Sequence, residues 1–329
     1  MKYPAHLQMS RLPTPIVPAR RFFNKYSDYN FWIKRDDLSG LELSGNKVRK
    51  LEFLLQEALD RGAGRIITCG GVQSNHCRTA VFMAAQLGLK ISLVLRGNAE
   101  EAPTGNYFLN RLAGADIRFV NEEEYKNAET IMEHIAEQAS EPCYTIPEGG
   151  SNETGVWGYV KCYEEILAQS RQSGQNYDTV VTATGSGGTH AGLLLGRLLS
   201  GGGPQVLSVN VCDDAPFFEN KIKDIFSSFT NKYKYKLNLK PKDIRIVDGF
   251  TGAGYGKIGR EEQNLIRDFA REEGLLIDPV YGAKALRGLI HLAEEKQLPG
   301  KDILFIHTGG VFGLFPHADM LLEGDRGIF

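Results

Sequence analysis

Apolar positions along the chain follow two periods, and the periods alternate. Leu51, Leu54, Leu55, Ala58 and Leu59 share one face at helical spacing. Gly45 and Asn46 precede them as start signals, so a helix is expected to open near Lys47. Short apolar runs bounded by turn formers predict strands over 31–35, 65–69, 91–95, 116–120, 179–183, 206–211, 244–247 and 303–306. Between them the spacing predicts helices over 75–87, 104–112, 122–138, 158–170, 191–199, 219–226, 261–273 and 283–296. Strands alternating with helices imply right-handed crossovers and a parallel sheet. Prolines at 4, 13, 15 and 18 make the first segment extended, and Pro147-Glu148-Gly149-Gly150-Ser151-Asn152 breaks the pattern midway. No solenoid-length repeat or low-complexity segment interrupts it.

Composition adds bounds. At 329 residues, with 42% hydrophobic and 24% charged residues, the chain is ordinary globular material for one large or two smaller domains. A formal charge of -2 gives no global reason to expect nucleic acid or an anionic membrane as partner. The five cysteines contain no Cys-x-x-Cys pair, which argues against a disulfide framework or zinc site and fits a reducing cytoplasm. The first residues do not read as a signal peptide, and no apolar run is long enough to span a bilayer. A cytoplasmic protein without a metal is therefore expected.

The chemistry centres on Ser44-Gly45-Asn46-Lys47-Val48-Arg49-Lys50. Three cations occupy the first turn of the expected helix, the end that prefers anions. A bound anion would make sense of them; otherwise they form a solvated basic turn. Lys47 and Lys50 are three apart and share a face. A neighbouring cation lowers a lysine's pKa, and a neutral amine is what Schiff-base chemistry needs.

Three further segments lie where strands give way to helices or turns. Gly185-Ser186-Gly187-Gly188-Thr189 suits either a phosphate cradle or a tight turn. His190 and the lack of a following lysine exclude the dinucleotide fingerprint and the P-loop. In Gly70-Gly71-Val72-Gln73-Ser74-Asn75-His76, Ser74 or Asn75 is a candidate N-cap or a carboxylate site; His76 alone reads as capping or packing. Asp278-Pro279-Val280-Tyr281 and His307-Thr308-Gly309-Gly310 are expected to end strands, with Tyr281 a packed aromatic and Thr308 a turn residue when taken singly. Residues 251–256 are a substrate-side loop or a plain connection.

Taken in order, these segments, with Lys34-Arg35-Asp36-Asp37, are similar to the fold-type II pyridoxal-phosphate enzymes. They most resemble the family of 1-aminocyclopropane-1-carboxylate deaminase and D-cysteine desulfhydrase. The resemblance runs from Arg11 to Gly310. It implies an α/β protein with two open, mostly parallel twisted sheets, as in the tryptophan synthase β-subunit. A small domain over 48–162 would be inserted into a large one formed by 1–47 and 163–329. Pyridoxal 5'-phosphate would lie between them. The resemblance implies that Lys47 bonds the cofactor aldehyde, while Lys50 and the turn of Gly185, Ser186, Gly187, Gly188 and Thr189 hold the phosphate. Asn75 would meet the phenolic oxygen and Thr308 the pyridine nitrogen. Ser74, Asn75, His76 and Tyr281 would face a small amino-acid substrate, with Lys47, Ser74 and Tyr281 catalytic. A homodimer is implied as well.

One departure bears on the reaction. The deaminases resemble one another in a Glu after the tyrosine, where this chain has Gly282, and in a Gln where it has His76. A hydroxyl at the pyridine nitrogen leaves the electron sink weaker than a carboxylate does. β-Elimination, whose leaving group carries electrons away, needs less of a sink than opening a cyclopropane. The sequence thus favours elimination from D-cysteine, with the deaminase, or a pyridoxal-phosphate binder without turnover, as alternatives.

Overall fold

A computed structural model describes residues 2–252, 254 and 256–322. Two mostly parallel sheets carry the chain. The larger uses β1 (Ile16–Pro18) and β2 (Asn30–Lys34), which pair antiparallel. Helix α1 (Lys47–Asp60) then leads to the smaller sheet. That sheet's elements are β3 (Arg65–Gly71), α2 (Asn75–Gln86), β4 (Lys90–Arg96), α3 (Gly105–Leu112), β5 (Asp116–Val120), α4 (Glu122–Tyr125), α5 (Ala128–Gln138) and β6 (Cys143–Ile146). Its strand order is β5-β4-β3-β6, parallel throughout. The chain returns through α6 (Trp157–Ser173), β7 (Thr179–Thr184), α7 (Gly188–Leu199), β8 (Gln205–Asn210), α8 (Ala215–Tyr233) and β9 (Ile246–Val247). It ends with α9 (Arg260–Glu273), α10 (Gly282–Glu294), β10 (Asp302–Ile306) and α11 (Ala318–Leu322). The larger sheet runs β1-β2-β10-β7-β8-β9.

Side chains alternate across the larger sheet as a strand's period of two requires. Ile303 and Phe305 pack with Phe23, Phe269 and Leu286 on one face, and Leu304 and Ile306 with Tyr159, Tyr163 and Leu193 on the other. Because helices cover both faces, β7 is buried at every position. In the smaller sheet, Ile66 and Leu93 meet Leu51 and Leu55 of α1, while Ile67 and Val94 meet Met132 of α5.

Helix α1 departs from its amphipathic pattern, because Lys47, Arg49, Lys50 and Glu52 are buried along with its apolar face. Partners explain two of them. Glu52 accepts from the Met9 and Ser10 amides at 2.8 and 2.7 Å, and Arg49 is ion-paired with Asp36 and Glu165. Gly158 makes the crossing of α6 over α1 possible, since a Cβ there would lie 2.3 Å from the Arg49 carbonyl.

The structure revises several expected elements. The helix expected over 122–138 is two, α4 and α5, the first opened by an Asn121–Glu124 capping box. Strand β6 lies between Pro142 and Pro147, which hid it as a loop. No strand precedes Asp278; residues 275–281 are irregular. Of the glycine-rich 251–256 segment, Ala253 and Tyr255 lie outside the described residues.

Candidate active site

Three strand ends and four helix starts converge on one cleft. Gly185 follows β7, Thr308 follows β10, and the turn after β3 leads into α2. Open parallel sheets offer ligand sites at such carboxyl ends. The cleft is bordered by Lys47, Asn75, the 185–187 turn, Thr189, Tyr281 and Thr308. The start of α1 is pinned there: the Asn46 amide donates to the Thr308 carbonyl at 3.0 Å, and Asn46 Nδ2 to Thr189 Oγ1 at 3.2 Å. Gly45 is required, with φ of 105° and a virtual Cβ only 2.6 Å from the Thr308 oxygen.

Lys47 is 7% exposed, and its Nζ lies 5.8 Å from the Tyr281 ring centre. Burial lowers its pKa to about 8, while Glu148 and Asp278 pull the other way. Desolvation, and not the neighbouring cation expected from the spacing, depresses this amine. The neighbour acts in the other direction: burial and then Lys47 and Lys221 push Lys50 well below the usual lysine range.

Lys50 donates to the Gly149 carbonyl and to Ser151 Oγ, both at 3.2 Å, and both neutral oxygens. A buried ammonium without a carboxylate is costly, and an anion beside it would compensate. Glycines leave the space. A Cβ at Gly188 would lie 2.5 Å from Ser151 Oγ and 2.9 Å from Lys50 Nζ. One at Gly149, where φ is 66°, would lie 2.4 Å from Ser186 Oγ and 3.3 Å from Lys47 Nζ. Ser151 and Ser186 hydroxyls meet at 2.8 Å. The start of α7 adds N–H groups with positive potential. Ser151 and Gly149 were missed from sequence because Pro147-Glu148-Gly149-Gly150 reads as a break.

Asn75 opens α2, borders the cleft, and accepts from Asn106 Nδ2 at 2.8 Å through Oδ1. Ser74 and His76 are outside the cleft's border. Ser74 caps α2, its Oγ accepting from the Cys77 amide at 3.2 Å. His76 is 3% exposed and bonded to Thr68 Oγ1 at 2.8 Å through Nε2. Since the Thr68 hydroxyl donates to the Ile146 carbonyl, Nε2 is the donor and Nδ1 keeps a lone pair with no partner. Burial, then Lys47 and Lys50, push the imidazole pKa well below its ordinary value, so it is neutral.

Tyr281 is held by backbone. Buried Asp278 accepts from the amides of Tyr281 at 2.9 Å and Gly282 at 2.6 Å, ordering the entry to α10. The ring covers Gly185, where a Cβ would lie 2.7 Å from Tyr281 Cε1. At Gly282 a Cβ would lie 2.4 Å from Ile277 Cγ1 and 2.8 Å from Asp278 Oδ1. Among the described residues no cluster of His, Cys, Asp or Glu could hold a metal ion, and no helix is long and apolar enough to cross a membrane.

The model of the pyridoxal-phosphate dependent enzymes matches residues 7–309. The chain belongs to that family. It is 40% identical to a putative 1-aminocyclopropane-1-carboxylate deaminase of Thermotoga maritima, over 96% of this chain and 99% of that protein. It is 37% identical to a bifunctional D-cysteine desulfhydrase/1-aminocyclopropane-1-carboxylate deaminase, mitochondrial, of Arabidopsis thaliana, over 97% of this chain and 81% of that one. A crystal structure of an ACC deaminase homologue superposes with a TM-score of 0.88 at 36% identity, covering 98% of this chain and 96% of the other. The expected α/β fold with two mostly parallel sheets is therefore that of fold-type II pyridoxal-phosphate enzymes. The family's cofactor also suits the donor set: an amine with a depressed pKa, a buried ammonium facing only neutral oxygens, and a glycine turn opening a helix.

Proposed function

We propose that this pyridoxal-phosphate enzyme is a D-cysteine desulfhydrase-like lyase, converting D-cysteine and water to pyruvate, ammonia and hydrogen sulfide. The observation that carries the choice is Gly282. Any side chain there would have its Cβ 2.4 Å from Ile277 Cγ1, so the backbone has no room for the carboxylate that the deaminases resemble one another in having. Thr308, bordering the cleft, is then the partner proposed for the pyridine nitrogen.

Bound pyridoxal phosphate supplies the electron sink for the charge left when the Cα proton is removed. The protein's groups do the rest. Lys47 would hold the cofactor's aldehyde and would serve as the base at the substrate Cα; its depressed pKa supports this role. Lys50, Ser186, Thr189 and the amides of Gly185, Gly187 and Gly188 hold the phosphate. Asn75 meets the phenolic oxygen. Asn75 lines the carboxylate side at the α2 N-terminus, and the sequence-based assignment of Ser74 and His76 to substrate is kept only for the helix start they help to build, since their side chains bond to Cys77 and Thr68. Tyr281, whose ring lies over Gly185, would face the substrate.

Residues 48–162 are proposed as the small domain, supported by the core that α1 shares with β3 and β4. The second boundary falls within α6. A cytoplasmic homodimer is proposed too; the family resemblance supports the dimer, and five cysteines without a Cys-x-x-Cys pair fit a reducing compartment. The relatives' names support a second reading, 1-aminocyclopropane-1-carboxylate deaminase. Keto-acid identification separates the two: pyruvate from D-cysteine supports elimination, and 2-oxobutyrate from the cyclopropane as the main product rejects it. A cofactor spectrum that responds to amino acids without either product would make the protein a binder.

A further inference from the structure

Lys284 is a buried cation that this reaction leaves unused. It lies in the first turn of α10, three residues after Tyr281, and is 0% exposed. Its ammonium donates to the carbonyls of Thr251 and Gly254, each at 2.7 Å, and of Val211 at 3.2 Å. Three acceptors use all three donors of an ammonium. Among the described residues no carboxylate is ion-paired with it; the nearby Glu262 is held by Arg287. A cation in a helix's first turn works against the helix dipole. An apolar side chain would avoid that cost but could not draw carbonyls together.

The three carbonyls belong to segments that flank the cleft or its outer opening. Val211 follows β8, and its Cγ2 lies 3.1 Å from the position of a Cβ on Gly185, whose nearest other neighbour is the Tyr281 ring. Gly254 is two residues from Gly256, which borders the wider opening outside the cleft with Asn75, Asp278 and Val280. The helix that carries the ammonium is the one that Tyr281 begins.

We propose that Lys284 is a positioning residue. Its ammonium gathers three backbone carbonyls. It thereby fixes the spacing between Tyr281, the phosphate-side turn and the rim at Gly254 and Gly256. The consequence is substrate affinity, because that spacing sets the width of the cleft on the amino-acid side. The inference rests on the proposed reading for which groups face substrate.

The test uses the cofactor-loaded enzyme and its variants Lys284→Met and Lys284→Gln. D-Alanine, which has no leaving group, is titrated while the cofactor's visible absorbance is followed; D-cysteine turnover and thermal midpoints are measured beside it. Misplaced binding groups weaken binding and rate by large factors, so Lys284→Met should raise the D-alanine half-saturation and the KM for D-cysteine by about tenfold or more. Its kcat should change by less than about threefold, and the absorbance without amino acid should be that of the wild type. Lys284→Gln, with two N–H donors, should fall between. Unchanged half-saturation in both folded variants overturns the proposal. So does loss of soluble protein in both, which would assign Lys284 to stability alone. A wild type that binds D-alanine but does not consume D-cysteine overturns the elimination reading and leaves this one standing on the titration.

Discussion

Arg49 and Asp36 form a two-bond ion pair inside the protein: Nη2 meets Oδ1 at 2.7 Å and Nε meets Oδ2 at 2.9 Å. Thr14 and Tyr159 donate to the same carboxylate at 2.8 and 2.6 Å, and Arg49 also holds Glu165 at 3.0 Å. The pair fixes the first turn of α1 between β2 and α6, two residues from Lys47. It accounts for one of the three cations at that helix start with protein carboxylates, and leaves Lys47 and Lys50 for the ligand.

Removing one partner strands the other's charge. Arg49→Met is expected to cost about 3–5 kcal/mol of stability, measured by urea unfolding. Burial would raise the Asp36 pKa, but Arg49, then Lys34 and Tyr159, outweigh it and hold the carboxyl below 3.8. Its stabilising contribution is therefore complete above pH 3.8 and lost as pH falls through the folded value. In Arg49→Met the acid transition should begin at higher pH. A transition unchanged in both position and free energy would contradict the clamp.

Lys47 has the same pH slope, but its charged form destabilises the fold where that of Asp36 stabilises it. Unfolded, it keeps its proton up to 10.5; folded without cofactor, only up to about 8. Between these values the folded state binds fewer protons, so stability rises with pH. Lys47→Met should be more stable than the cofactor-free wild type at pH 7 by about 3 kcal/mol, a gap that closes towards pH 10.5. A gap independent of pH would show that burial does not govern this amine.

Gly188 tests the phosphate cradle. In Gly188→Ala the new methyl meets Ser151 Oγ at 2.5 Å and Lys50 Nζ at 2.9 Å. Overpacking of this kind costs about 1–3 kcal/mol, which predicts at least fivefold weaker cofactor binding by absorbance titration, about the low end of that range. Binding as tight as in the wild type would remove this turn from the site.

Gly282→Glu should not create a deaminase. Its side chain must displace Ile277 and approach Asp278 Oδ1, 2.8 Å from the new Cβ. The expected outcome is a loss of about 1–3 kcal/mol in thermal unfolding, without 2-oxobutyrate release from the cyclopropane substrate. Appearance of that activity would mean the backbone at 282 yields more readily than its packing implies.

Much of this was legible in the sequence, for physical reasons. Buried parallel strands such as 179–184 leave continuous apolar runs, and helix starts leave glycine and hydroxyl signals, so the strand ends carrying Ser74, Gly185 and Thr308 could be read. What escaped depends on distant pairing. Ser151 joins the cradle only because the 147–152 break, with positive φ at Gly149 and Gly150, folds back on Lys50. The burial of Arg49 and Lys284 follows from partners 13 to 116 and 30 to 73 residues away, which no local pattern announces. Ser74 and His76 were readable as residues near the α2 start, but their side chains turn to Cys77 and Thr68 rather than to the cleft.

The most direct test of the whole account compares the purified wild type with Lys47→Ala after incubation with pyridoxal phosphate, followed by D-cysteine. The wild type should show the visible absorbance of a protein-bonded cofactor and release pyruvate. The variant should lose that absorbance and the pyruvate together. Pyruvate release at a similar rate from Lys47→Ala would contradict the assignment of this amine, and with it the reading of the cleft.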